Sequence, residues 1–249
     1  MDSLKGVLSD IRIFMYGGVA TLPITIAGTM LILGLCTANF AMLFFLIGYL
    51  MGVPLISYGL NFLIQNLLNI SFIKDTGFAN AFKAKQSNQC GIVVDYSADP
   101  KTDDVVLSSV WMSMVTFFIG YLLQNAIQLH SREAEDSTIR INQKPATDRD
   151  PTPDLSKKVT NRKTQAIICI LSIIVFAVAV IGTRLYGGCD RMAGTVIGGV
   201  IFGYLGVGWY KLLSLTGQDR LSDLFGIANR LLPPSAIENK PVACVAQPS

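Results

Sequence analysis

The residues of this chain with chemical capacity are few, and they gather at the edges of apolar runs. Arg184 and Asp190 stand six positions apart, Ser108 and Ser109 are adjacent, and Asn61, Gln65 and Asn69 recur at every fourth position. Such a set offers fixed charge and hydrogen-bonding groups to a reacting anion. Turnover would also require an activated nucleophile and a positioned acid. The chain has one histidine, His130. Its five cysteines show no metal-ligand spacing, so neither a metal nor any other cofactor is expected. Amides placed like Asn61, Gln65 and Asn69 more often bond neighbouring helices than hold a ligand, and a polar cavity at Gln65 is the alternative.

The elements that must position these groups are membrane helices. No Asp, Glu, Lys or Arg occurs from Ile13 to Ile73, Val105 to Leu129, Thr164 to Thr183 or Met192 to Tyr210. About 20 apolar residues suffice to cross a bilayer. Hydrophobic residues make up 51% of the 249, charged residues 15%, and the mean hydropathy is positive. This is the composition of an all-α, polytopic membrane protein. A net charge of +3, spread along the chain, argues against a nucleic-acid surface.

Five spans are expected: Ile13 to Leu35, Phe40 to Asn69, Val105 to Leu129, Gln165 to Tyr186 and Met192 to Leu215. The alternative has four, with the first run re-entrant. Thr37, Ala38 and Asn39 leave room only for a tight antiparallel hairpin, and Pro54 predicts a kink in span two. Apart from Arg184 and Lys211 near their ends, the spans contain no Asp, Glu, Lys, Arg or His, which argues against proton-coupled transport. Residues 1–12 form an N-terminal segment and 13–215 the transmembrane bundle. That bundle includes a loop at 70–104 and a polar, proline-broken linker at 131–163, expected to be flexible. Residues 216–249 form a tail with an amphipathic helix at 219–232. With five spans, twelve of the twenty Lys and Arg residues fall on the side of the C-terminus. That excess puts the C-terminus in the cytosol and the N-terminus outside or in a lumen. Cys90 and Cys189 then share the external face. They form a disulfide if that face is oxidising, or remain two thiols if it is not.

Span five opens Asp190-Arg-Met-Ala-Gly194-Thr-Val-Ile-Gly198, continues to Gly199 and Gly203, and follows Arg184. This resembles the last signature of the type-2 phosphatidic acid phosphatases, a superfamily of membrane lipid phosphatases. Ser108, Ser109 and Val110 at the start of span three look like the family's Pro-Ser-Ser-His. Leu60-Asn61 through Gln65 at the end of span two looks like its Leu-Asn-x-x-Leu-Lys. The resemblance implies a phosphatidic acid phosphatase-like core from about residue 15 to 215, with its site on the external face. It also implies what is lost. Gln65 stands for the family's lysine, Phe72 for its first arginine and Val110 for its acid histidine. Arg184 and Asp190 are too close together to enclose the nucleophilic histidine.

The resulting expectation is a catalytically inactive, phosphatase-like membrane protein with a structural or scaffolding role. A compact membrane assembly, such as the internal membrane of a large DNA virus particle, is the setting it suggests. Its partners are the lipid bilayer and proteins met through loop 70–104, linker 131–163 and the tail. The glycines at 194, 198, 199 and 203 suit close helix contact, either within the bundle or between copies in an oligomer. The competing readings are a divergent lipid or polyprenyl phosphate phosphatase, and a lipid-binding or transport protein with a cavity near Gln65 and Asp190.

Overall fold

The computed structural model describes residues 17–68, 108–142, 153–215 and 222–224. Among these there are helices and turns but no strand. The order is α1 (Leu22–Cys36), α2 (Phe40–Ile47), a π-helical turn (Gly48–Gly52), α3 (Val53–Leu68), α4 (Val110–Asn142), α5 (Pro153–Tyr186) and α6 (Met192–Leu215). Among the described residues, four segments are long and apolar enough to cross a membrane: Phe40–Leu67, Val110–Gln128, Thr164–Tyr186 and Met192–Leu215. The described part of the first apolar run is shorter. Its helix α1 has 15 residues, preceded by one helical turn over residues 17–20. Together they reach about 30 Å at 1.5 Å per residue.

Three residues turn the chain between α1 and α2. The Ala38 N–H bonds the Leu35 carbonyl and the Asn39 N–H bonds the Gly34 carbonyl, closing α1 with a Schellman cap. Ala38 occupies its left-handed position at φ 50°. Asn39 then caps the next helix, its side chain accepting from the Ala41 N–H at 3.1 Å. A kink is expected at Pro54, and the helix widens into a π turn just before it. There the Val53 N–H reaches back to the Gly48 carbonyl, so the helix absorbs one extra residue. The Trp209 indole lies against Gly48 and donates to the Phe44 carbonyl at 3.3 Å.

Helix α4 is central, packing on α6, α5 and α3. Its partner α6 supplies the glycines. A methyl on Gly120 would strike the Gly203 carbonyl, one on Gly206 the Phe117 carbonyl, and one on Gly198 the Ser108 side chain. Gly199 faces the Thr116 methyl. The small-residue stripe is therefore used inside the bundle, where it lets two backbones touch. Around this seam Phe45 stacks on Tyr49 and meets Tyr121 edge-on, at 5.3 and 4.9 Å between centroids.

Two expectations change. Linker 131–163 is helical at both ends, because α4 continues to Asn142 and α5 begins at Pro153. Residues 131–142 contain neither Pro nor Gly, and extending an existing helix needs no new nucleus. Proline also suits a first helical position. The amphipathic helix expected at 219–232 is absent over its described part, Ser222–Leu224, which is a turn. Tertiary contacts outweigh the periodicity there. Leu224 is fully buried, the Ser222 carbonyl accepts from the Tyr121 hydroxyl at 2.9 Å, and the Leu224 carbonyl accepts from Asn39. The N-terminal segment 1–12, loop 70–104 and the rest of the tail lie outside the described residues.

Candidate functional site

The chemical groups converge at one end of the bundle. Ser109 caps α4, its hydroxyl accepting from the Met112 N–H at 3.2 Å. This places Ser108 just before the helix and Ser113 one turn inside it. Across from them α3 presents Ser57 and Asn61 at i and i+4, on one face. The Ser57 and Ser113 hydroxyls lie 3.3 Å apart, Ser113 donates to Ser109 O at 3.1 Å, and its hydroxyl is 3.4 Å from that of Ser108. Asn61 Nδ2 donates to the Ser108 carbonyl at 3.3 Å. From the third side α6 brings Gly198 against Ser108.

The ion pair arises from a helix cap. At the end of α5 the Gly188 N–H bonds the Leu185 carbonyl and the Cys189 N–H bonds the Arg184 carbonyl. Gly188 takes φ 70°, a conformation that costs glycine least. This Schellman motif folds the chain back so that Asp190 returns to Arg184. Arg184 Nε meets Asp190 Oδ2 at 3.2 Å, with both side chains 4% exposed. The guanidinium also lies 4.4 Å above the Trp111 ring. Trp111 in turn donates from Nε1 to the carbonyls of Val19 and Ala20, at 3.1 and 3.0 Å. One node thus ties the starts of α1 and α4 to the α5–α6 turn.

Of the expected site residues, Ser108, Ser109 and Val110 come together beside Asn61 and Gly198, and Arg184 and Asp190 pair beside Trp111. Gln65 is exposed on α3. Phe72 and Cys90 lie outside the described residues. Cys189 is disulfide-bonded, with a partner outside the described residues. His130 is on α4, 19 positions beyond Trp111, or about 29 Å along the axis.

The sequence reading missed Ser57, Ser113, Trp111 and Thr195. Ser57 could have been found as the first member of a polar row with Asn61 and Gln65. Thr195 is buried on α6 with a hydroxyl that has no hydrogen-bond partner among the described residues. No group of three His, Cys, Asp or Glu residues suited to a metal occurs among the described residues. Two apolar grooves lie along α5, of about 370 and 430 Å³, and neither touches Gln65 or Asp190. No protein-family model, curated protein or solved structure matches the chain.

Proposed function

We propose that this chain is a non-catalytic, multi-pass membrane protein with a structural role, built on a bundle like that of the type-2 phosphatidic acid phosphatases. One observation carries the reading: among the described residues, the ion pair and the serines at this end are bonded to one another or to backbone. The guanidinium of Arg184 is held by Asp190 and covered by Trp111. The serines bond among themselves and to backbone. The single imidazole sits about 29 Å further along α4. A phosphoryl group arriving at this end would meet no histidine to serve as nucleophile or acid.

The same contacts support five crossings. The turn before α1 is bonded to Trp111 at one end of the bundle, and Asn39 after α1 meets Leu224 at the other. With five crossings the termini lie on opposite sides, and the excess of basic residues puts the C-terminus in the cytosol. Loop 70–104, the segment joining α4 to α5 and the tail are the surfaces proposed for protein partners in a membrane assembly.

The test is phosphate release from phosphatidic acid and undecaprenyl pyrophosphate by the protein reconstituted in vesicles. The expected rate equals that of empty vesicles. Turnover that disappears in Arg184→Ala would establish a divergent phosphatase instead. Mass spectrometry of the purified native assembly would identify the partners.

A further inference from the structure

The chain has five cysteines, at positions 36, 90, 169, 189 and 244. Cys189 is disulfide-bonded, while Cys36 and Cys169 are free. Within the chain, the partner of Cys189 is therefore Cys90 or Cys244.

Helix directions decide between them. Cys189 sits in the α5–α6 turn, at the end where Arg184 stacks on Trp111 in the first turn of α4. Helix α3 approaches the same end, since its Asn61 bonds the Ser108 carbonyl. The chain between α3 and α4 therefore leaves and re-enters at one face. It carries Lys74, Asp75, Lys83, Lys85 and Asp95 and has no apolar run that could cross a bilayer. Cys90, within it, stays on the face of Cys189.

Cys244 belongs to the other face. It follows Leu224, which is buried at the opposite end beside Asn39. The intervening residues include Arg230, Pro233, Pro234, Glu238 and Lys240, again with no run able to return across. The 24 residues of α6 separate the two faces by about 36 Å.

We infer that Cys189 is bonded to Cys90, and that the face bearing this bond is the oxidising, non-cytosolic side of the membrane. The bond forms by exchange with a disulfide-bearing oxidant of that compartment. One thiolate attacks a sulfur of the oxidant, and the second displaces it as a dithiol, so two protons and two electrons leave the pair. The cross-link fastens the long loop to the turn that pairs Arg184 with Asp190. This inference rests on the multi-pass membrane reading and not on the loss of catalysis, so phosphate release and the following experiment fail independently.

Full-length protein in its membranes is blocked with N-ethylmaleimide without reductant, digested and analysed unreduced by mass spectrometry. A linked pair of peptides containing Cys90 and Cys189 is expected. A Cys189–Cys244 link, or Cys189 carrying maleimide, would overturn the pairing. Sealed right-side-out vesicles are then treated with a membrane-impermeant phosphine, followed by an impermeant maleimide. Cys90 and Cys189 should label in intact vesicles and Cys244 only after permeabilisation. The reverse pattern would overturn the sidedness. In Cys90→Ser, Cys189 should label without reductant. Its continued protection there would also overturn the pairing.

Discussion

Gly206 and Gly208 stand two positions apart on α6 and should respond to the same substitution in opposite ways. A methyl on Gly206 meets the Phe117 carbonyl and lies 2.9 Å from the Tyr121 nitrogen. These are backbone atoms of the central helix, which cannot swing aside as a flexible side chain would. A methyl on Gly208 meets nothing within 4 Å. Both changes gain helix propensity, about 1 kcal/mol for Gly→Ala in a helix interior. The difference between the two variants therefore isolates the contact, and overpacking of this kind costs about 1–3 kcal/mol. For a chain of this size each kcal/mol shifts the midpoint by about 2–4 °C, so Gly206→Ala should melt about 2–12 °C below Gly208→Ala. Thermal unfolding of both in one detergent, with size-exclusion chromatography beside it, measures this. Equal midpoints would refute the close approach of α4 and α6. A Gly206→Ala protein that keeps its midpoint but loses an oligomer would show that the stripe joins copies instead.

Two further outcomes follow from the polar contacts. Arg184→Met strands a buried carboxylate and should cost about 3–5 kcal/mol, whereas Arg184→Met with Asp190→Leu should recover most of it. A double-mutant cycle on the same melting assay checks this, and additive losses would deny the pair. Tyr121→Phe removes the donor to the Ser222 carbonyl and should cost about 1 kcal/mol. It should also speed proteolytic cleavage between residues 216 and 224, and an unchanged cleavage rate would contradict that anchor.

Much of the framework was legible because lipid imposes a simple rule on composition. The spans expected to begin at Phe40 and Met192 became helices starting at those residues, and a π-helical turn lies just before Pro54. What was not legible depended on contacts between distant segments. The periodicity of 219–232 suggested a helix, but bonds from Tyr121 and Asn39 hold Ser222–Leu224 in a turn. Charge and proline made 131–163 read as a linker, although its proline-free first dozen residues simply extend α4. Arg184 and Asp190 were recognised as chemical groups. Yet their six-residue spacing read as a shortened signature, and only the cap around Gly188 shows why that spacing yields an ion pair. Trp111 carried no signal at all, since an aromatic residue entering a span is commonplace.

The π-helical turn at Gly48–Gly52 has a consequence for how this bundle chooses its faces. Helix α2 is apolar on every side, whereas α3 carries the polar row of Ser57 and Asn61. One inserted residue advances everything after it by about 100°, and this angular offset, rather than greasiness, points Ser57 and Asn61 toward α4. Gly48 leaves room for the Trp209 ring against the turn, and that indole pins the offset from α6. The azimuth of the polar row is thus set from some distance down the helix, by a glycine and a tryptophan that take no part in it.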